Sequence, residues 1–148
     1  MALADLVDVE PEVIAAQIAE AHAGDPGWLD AFTDALHQQR TASQARRVFT
    51  VWGINHSEAG RMFGVTRQAV SRWIINGIPA TQTVVFADLA AATDILTHYI
   101  SADRIPAVVR RPAPALGHRS LLDLVADGRT AEVVDACRRM FQFTGTHQ

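Results

Sequence analysis

Residues 57–77, with the sequence SEAGRMFGVTRQAVSRWIING, constrain the fold more than any other segment, because they have the pattern of a helix-turn-helix. When the turn is placed at Gly64, apolar residues fall at the positions where the two helices must pack against each other. These residues are Ala59, Phe63, Val65, Val70 and Trp73. Gly60 lies four residues before the turn, where a larger side chain would hold the helices apart. The segment therefore predicts two short helices that meet at an angle.

The second of these helices has a polar outer face. Thr66 is predicted to cap its first turn, since the hydroxyl can accept an orphan backbone N–H, and Asn76-Gly77 is predicted to end it. At about 100° per residue, Gln68, Ser71 and Arg72 point away from the core positions, and Arg67 lies at the exposed first turn. Arginine pairs with the edge of guanine, glutamine pairs with the edge of adenine, and serine is adaptable. The pattern predicts a reader of the DNA major groove, and the alternative is a helical corner that only packs.

The formal net charge of −3 is distributed unevenly along the chain. Residues 1–39 carry eight acidic residues and no arginine, residues 40–80 carry six arginines against Glu58 alone, and residues 81–148 carry seven of each sign. The basic region therefore coincides with the helix-turn-helix, which is the asymmetry that contact with DNA phosphates requires. We predict DNA contacts from Thr66, Arg67, Gln68, Ser71, Arg72, Arg61, Arg46 and Arg47.

The composition argues against several other classes of protein. The chain has no run of 18 apolar residues and no basic segment followed by an apolar one at its start, so we expect no membrane span, no export and a cytoplasmic location. Cys137 is the only cysteine, which excludes an internal disulfide, fits a reducing cytosol and predicts a small buried hydrophobe on a helix. The six histidines match no metal-binding spacing, and nucleotide-binding and hydrolase motifs are absent, so neither a metal, a cofactor nor an enzyme is expected.

Helical periodicity runs through the chain and no segment has the two-residue period of a strand, so we predict an all-α fold. Four parts are expected: an acidic N-terminal helical extension at 1–40, a helix-turn-helix DNA-binding domain at 41–80, a connecting or dimerisation helix at 81–102, and a small helical C-terminal domain at 103–148. Before the helix-turn-helix, helices are expected to begin at residue 10, to run from 28 to about 39, and to run from 41 or 43 to 53.

The connecting helix carries an apolar seam with the spacing 4-3-4-3, as in packed helices. Its members are Val85, Leu89, Ala92, Leu96 and Tyr99. Three heptad steps do not decide what covers this seam. One alternative is a homodimer in which the five residues form the contact and small alanines allow close approach. The other alternative is an internal core face.

The order of these parts and the last third of the chain resemble the MbcA/ParS/Xre antitoxin family. The resemblance is carried by VSRWIINGIP at the end of the helix-turn-helix, by the long helix after it, and by LGHRSLLDLVADGRTAEVVDACRRMF at 116–141. The family's C-terminal region has a short helix, a small polar loop, an S-x-x-D-L helix start, a glycine and a final helix. Similar features lie here at 105–111, 117–118, 120–124, Gly128 and 130–143. The resemblance covers about residues 44–143, so the acidic first 39 residues lie outside it.

The resemblance implies a protein with two binding surfaces. Its N-terminal part is expected to bind the promoter of its own operon. Its C-terminal part is expected to bind a toxin, usually of the RES-domain class that consumes NAD, and to block the toxin's active site. The loop and helix start of the C-terminal part are the predicted toxin contacts, because binding residues concentrate on loops of a rigid scaffold. They are Arg110, Arg111, Leu116, His118 and Arg119.

Two other functions remain compatible with the residues. The first is a stand-alone transcription regulator or phage-type repressor whose C-terminal part only dimerises. The second is a partner-binding adaptor whose helix-turn-helix has lost DNA. A stable complex with the product of a neighbouring gene distinguishes the antitoxin from the stand-alone regulator. Weaker binding to operator DNA after removal of Arg67 or Arg72 distinguishes the antitoxin and the regulator from the adaptor.

Overall fold

The structure is a computed structural model, and it describes residues 7–142. Its regular elements over that range are helices, which confirms the all-α prediction, and the only β-type pairing there is an isolated antiparallel bridge between Ala113 and Arg119. The α-helices are α1 (Pro11–Ala21), α2 (Pro26–Trp52), α3 (His56–Phe63), α4 (Arg67–Asn76), α5 (Thr83–Tyr99), α6 (Ile105–Arg110), α7 (Leu121–Ala126) and α8 (Thr130–Met140). Short 3-10 turns lie at Ala80–Gln82, Ala102–Arg104 and Pro114–Leu116. The predicted end of the last helix at residue 143 lies outside the described residues.

The break predicted near residue 40 is wrong, because α2 runs without interruption from Pro26 to Trp52. Thr41 was expected to begin a new helix, but its hydroxyl donates to the carbonyl of Gln38 at 3.0 Å. The same hydroxyl accepts the backbone N–H of Ile78 at 3.2 Å. Thr41 is therefore fully satisfied inside a continuous helix. The chain still divides into two units, Met1–His37 and Gln38–Gln148, and the boundary falls within α2.

The described part of the first unit consists of α1 and the beginning of α2. Pro11 occupies the first turn of α1, where its missing N–H costs nothing. His22, Trp28 and Phe32 stack on one another, with ring centroids 3.3 Å and 5.2 Å apart in that order. No residue from 7 to 37 is fully buried.

The second unit has an aromatic core beside one buried polar contact. The rings of Phe49, Phe63, Trp73 and Phe86 pack edge to face and face to face, with neighbouring centroids 5.3–6.3 Å apart. The indole N–H of Trp52 donates to the hydroxyl of Thr93 at 2.9 Å, and that hydroxyl donates to the carbonyl of Leu89 at 2.6 Å. Trp52 and Thr93 are both completely buried, so this chain of hydrogen bonds ties α2 to α5 in the core.

Of the two alternatives for the seam of α5, the structure shows the internal core face and not the dimer contact at its three central residues. Leu89, Ala92 and Leu96 are 1 %, 0 % and 0 % exposed in the single chain, and α5 packs against α8. Val85 is half-buried against the same core. Only Tyr99 is exposed, and its ring stacks on Phe141 with the centroids 4.3 Å apart. A second copy has no access to the three central residues of the seam.

Cys137 lies on α8 and is completely buried, as predicted for a small hydrophobe. Burial raises the pKa of its thiol to about 12. Among residues 7–142 no single helix is long and apolar enough to cross a membrane, although α4 and the segment Ala80–Tyr99, bent by 89°, reach that length and apolarity together.

The buried hydrogen bond between Trp52 and Thr93 gives a test of this core. Thr93→Val keeps the shape of the side chain but leaves the indole N–H without an acceptor, so the free energy of unfolding should fall by about 1–3 kcal/mol. Thr97→Val is the matched control, because Thr97 lies one turn further along α5 on its exposed side and donates only to backbone carbonyls. Urea unfolding followed by tryptophan fluorescence measures both variants. Equal losses would show that the Trp52–Thr93 bond contributes nothing specific.

Candidate nucleic-acid interface and partner-binding surface

The segment from Asn55 to Gly77 folds as a helix-turn-helix. Asn55 caps α3, where its side-chain oxygen accepts the backbone N–H of Glu58 at 2.8 Å. Gly64 adopts a left-handed conformation with φ 66°, which provides the turn. Thr66 then caps α4 as predicted, since its hydroxyl accepts the backbone N–H of Ala69 at 3.0 Å. Gly77 ends α4 with φ 104°.

The crossing of α3 and α4 depends on Gly60. A Cβ atom at this position would lie 2.8 Å from the backbone carbonyl oxygen of Val65. Ala59 and Val70 are completely buried where the helices meet, and Trp73 is 6 % exposed. The predicted packing positions are therefore confirmed, and the close approach fixes the angle at which α4 presents its outer face.

The outer face of α4 presents three of the predicted readers to solvent: Arg67, Gln68 and Arg72. Arg61 on α3 is also exposed. Thr66 is exposed, but its hydroxyl is already used as the helix cap. Ser71 differs from the others, because its hydroxyl is half-buried, lies 3.1 Å from Nδ1 of His56 and donates to the carbonyl of Arg67 at 3.2 Å.

Ser71 therefore faces the first turn of α3 and not the solvent. The prediction that Ser71 points outward with Gln68 and Arg72 is corrected. The helical angle put it near the boundary of the polar face, and the position of His56 decided the side. His56 was not predicted as a site residue, since nothing in the spacing of the scattered histidines indicates this contact.

The two arginines on α2 have different surroundings. The guanidinium of Arg46 donates to the carbonyl of Ile74 near the end of α4, so Arg46 lies beside α4. Arg47 forms an ion pair with Asp94 of α5 at 2.7 Å, and both side chains are about half exposed or more. Exposed pairs of this kind contribute at most about 1 kcal/mol to stability.

An open groove of about 600 Å³ brings Arg46 and Arg67 together. Its polar lining includes residues around the first turn of α3 that the sequence analysis did not identify: Asn55, His56 and Ser57. The backbone N–H groups of a helix start and two guanidinium groups favour an anion. The signal that could have identified this edge is the Asn55 cap pattern directly before α3.

Arg110, which was predicted as a toxin contact, has an internal role in the structure. One nitrogen of its guanidinium donates to the carbonyls of Trp52 and Pro106 at 2.8 and 2.9 Å. The other donates to the carbonyl of Gly53 at 2.8 Å and to both carboxylate oxygens of Glu58 at 3.2 Å. Arg110 therefore closes the C-terminal end of α2 and neutralises Glu58, and these acceptors leave little of the group free for a partner.

The loop after α6 has a fixed shape. The N–H of Ala113 donates to the carbonyl of Arg119 at 3.1 Å, and the N–H of His118 donates to the carbonyl of Ala113 at 2.9 Å. Gly117 and His118 are both left-handed, with φ 65° and 64°, and His118 is the only non-glycine residue with positive φ among residues 7–142. A left-handed non-glycine residue persists only where its surroundings hold it, and such positions concentrate at binding sites.

The S-x-x-D-L helix start forms a capping box of α7 at the end of this loop. The hydroxyl of Ser120 accepts the N–H of Asp123 at 3.0 Å, and the N–H of Ser120 donates to the Asp123 carboxylate at 2.9 Å. The backbone hydrogen bond from Ser120 lowers the pKa of the Asp123 carboxyl. Arg119 forms an ion pair with Asp127, so the loop is anchored to both ends of α7.

Two depressions flank Leu116, where the loop packs near α8. The first, of about 310 Å³, is largely apolar and is lined by Ala113, Ala115, Leu116, Ala136, Arg139 and Met140. The second, of about 500 Å³, adds Arg119, Arg129 and Glu132 around Leu116. His118 and Arg111 are exposed nearby in the chain. The structure thus joins Leu116 and Arg119 to a surface of α8 that includes Arg139 and Met140, which were not predicted as site residues.

The described residues contain no group of three or more side chains suited to hold a metal ion. The two surfaces offer guanidinium, amide, hydroxyl and apolar groups together with the imidazole of His56 and the carboxylate of Glu132.

No protein-family model matches the chain, and no curated protein matches it. Among solved structures, the chain is similar to a chain in the crystal structure of the M. tuberculosis MbcT-MbcA toxin-antitoxin complex, with a TM-score of 0.56 and 24% sequence identity. The match covers 67% of this chain and 91% of that chain. At this identity the likeness establishes the fold.

The close approach at Gly60 generates a direct test of the helix-turn-helix geometry. Gly60→Ala places a methyl group against the Val65 carbonyl, so the free energy of unfolding should fall by about 1–3 kcal/mol. Gly24→Ala is the control, since a Cβ atom there meets no atom within 4 Å. Thermal unfolding followed by the fluorescence of the buried tryptophans compares the two. A Gly60→Ala variant as stable as the wild type would mean that the two helices do not cross as described.

Proposed function

We propose that this protein is the antitoxin of a type II toxin-antitoxin system, which binds and blocks a RES-type, NAD-consuming toxin and binds its own promoter through α3 and α4. The observation that carries the proposal is the likeness of its fold to a chain of a toxin-antitoxin complex. The residues at 116–141, which resemble the C-terminal pattern of the antitoxin family, add independent support.

The surface around α4 supports promoter binding. Arg67, Gln68 and Arg72 are exposed together on the helix that would enter the major groove, and Arg46 and Arg61 lie beside them as phosphate contacts. Glu58 is the only acidic residue between positions 40 and 80, and Arg110 neutralises it. The field that approaching DNA meets at this surface is therefore positive although the whole chain is acidic.

The surface around Leu116 supports toxin binding. A rigid loop supplies Leu116, His118 and Arg119, and α8 supplies the exposed Met140 and the neighbouring Arg139. An apolar depression with a basic rim suits an apolar side chain of the partner that is flanked by a carboxylate. Such a contact would cover the NAD cleft of a toxin sterically, with no need to imitate the charges of NAD.

A stand-alone regulator or phage-type repressor remains the second candidate. It is favoured by the completeness of the helix-turn-helix, whose two caps, turn glycine and exposed arginines need no toxin to serve DNA binding. It differs from the first candidate only in having no partner at the surface around Leu116, so a toxin-binding experiment separates the two.

Loss of either reading arginine should weaken promoter binding. Arg67→Ala and Arg72→Ala should each cost about 1–3 kcal/mol, roughly a 5- to 150-fold lower affinity, if the side chain pairs with a guanine. Arg138→Ala is the control, because Arg138 is also exposed but lies on α8. Fluorescence anisotropy with promoter DNA at several salt concentrations measures the effect, and the affinity should fall steeply with salt. Equal affinity of all three variants and the wild type would remove α4 as the reading helix.

The toxin pairing is tested by cellular NAD. Expression of the protein encoded beside this chain should deplete NAD, and co-expression of this chain should restore it. Met140→Asp places a charge in the apolar depression and should prevent the rescue, whereas Val84→Asp, at a position 73% exposed on α5, should preserve it. If NAD does not change with or without this chain, the RES pairing is wrong and the stand-alone regulator becomes the better explanation.

A further inference from the structure

Ile75 lies on the solvent side of α4 and is 62 % exposed, although it is a large apolar residue. The preceding Ile74 is half-buried and packs against the hydrophobic core, so the two neighbouring isoleucines have different surroundings. A β-branched residue is also a weaker helix former than alanine or arginine at an exposed position. Neither the core nor the stability of α4 therefore requires an isoleucine at position 75.

Ile75 belongs to the same row of α4 as two of the predicted base readers. At about 100° per residue, Gln68, Arg72 and Ile75 fall within a sector of roughly 60°, and all three side chains are exposed. The buried residues Val70 and Trp73 lie on the opposite side of the helix. At about 1.5 Å per residue the row extends over about 10 Å, comparable with three base pairs stacked about 3.4 Å apart. A groove that receives Gln68 and Arg72 therefore also receives Ile75.

Contacts with α2 hold the last turn of α4, which carries Ile75. The N–H of Ile78, which could have continued the helix by donating to the carbonyl of Ile74, donates to the hydroxyl of Thr41 at 3.2 Å. The guanidinium of Arg46 donates to the carbonyl of Ile74 in its place. Both groups that the helix end leaves without a helical partner are therefore satisfied by α2. Ile75 is presented by a fixed helix end.

The surroundings of Ile75 favour DNA over an apolar protein surface. Ile75 is the only exposed large hydrophobic residue on α3 and α4, so it is not part of a connected apolar patch on these helices. The exposed charged side chains of the two helices are all arginines: Arg61, Arg67 and Arg72. Their one acidic residue, Glu58, is half-buried and paired with Arg110. An isolated apolar group among positive charges suits a polyanion that itself presents an isolated apolar group.

Thymine presents such a group in the major groove of DNA. The edges of the base pairs offer hydrogen-bond donors and acceptors there, and the apolar exception is the C5-methyl group of thymine. Contact between this methyl group and an aliphatic side chain removes both from water, which is favourable. Cytosine has no such group, so the contact distinguishes the two pyrimidines. The aliphatic branches of Ile75 can therefore read a base that neither Gln68 nor Arg72 would read through hydrogen bonds.

We propose that Ile75 is a base-reading residue of α4, and that its side chain contacts the C5-methyl group of a thymine in the promoter of the chain's own operon. The inference rests on the proposed promoter binding and adds a specificity-determining residue to it. The end of α4 supplies an apolar contact beside the polar contacts of Gln68 and Arg72, so the bound promoter carries a thymine near the bases that those two residues read.

The experiment replaces thymine by uracil, which keeps the hydrogen-bonding groups and lacks only the methyl group. Promoter duplexes with one thymine replaced at a time are titrated with the full-length protein and followed by fluorescence anisotropy. One replacement should lower the affinity of the wild type about four-fold, the value of one buried methyl group. Ile75→Ala should bind the unmodified promoter at least as weakly as the wild type binds that uracil duplex. It should also bind the two duplexes equally, because the methyl group has lost its contact.

Val84→Ala is the matched control, because Val84 is also β-branched and is 73 % exposed but lies on α5. This variant should keep the wild-type affinity and the wild-type sensitivity to uracil. Light scattering during gel filtration measures the mass of each variant without DNA. A lower mass of Ile75→Ala than of the wild type would place Ile75 in a contact between copies of the chain and would overturn the proposal.

Failure of this inference is distinguishable from failure of the proposed function. Promoter binding that depends on Arg67 and Arg72 but is weakened by no uracil replacement would leave the proposed function intact and overturn the role of Ile75. The same conclusion would follow if Ile75→Ala kept the sensitivity of the wild type at every thymine. Absence of any binding to the promoter would overturn both.

Discussion

The packing of α5 against α8 is the contact on which most of the structure depends. This packing buries the apolar seam of α5, including Leu89 and Leu96, within one chain. It also joins α8 to the core that supports the helix-turn-helix. The hydrogen bond from Trp52 to Thr93 fixes α2 against the same helix. Because this seam is used internally, Leu89, Ala92 and Leu96 are not available for contact with a second copy.

The parts of the fold that local chemistry determines could be predicted from the sequence. The cap at Thr66, the small residue at Gly60 and the capping box at Ser120 each depend on residues within a few positions of one another, and all three are present. The continuity of α2 could not be predicted in this way, since one of the two possible helix starts, Thr41, has its hydroxyl occupied by Gln38 within the helix and by Ile78, which lies 37 positions away.

In the candidate sites, too, some features follow from neighbouring residues and others depend on contacts from distant parts of the chain. Exposure of Gln68 and Arg72 follows from the helical period, and exposure of Arg67 follows from its place in the first turn of α4. The side on which Ser71 lies is decided by His56, and the role of Arg110 is decided by carbonyls more than 50 positions earlier in the chain. Arg139 and Met140 were overlooked as partner contacts because only the folded chain shows that the loop around Leu116 leaves them accessible.

The five hydrogen bonds of Arg110 have a consequence for how proteins of this kind diversify. They attach the start of the C-terminal region to the end of α2 and to α3, so the helix-turn-helix and the candidate toxin surface share supports. Exchange of the C-terminal region between relatives as a separate cassette would break this joint unless the arginine and Glu58 moved together. A change at the candidate partner surface is therefore easier by substitutions on the outer side of the loop and α8 than by recombination, and the two candidate surfaces are inherited together.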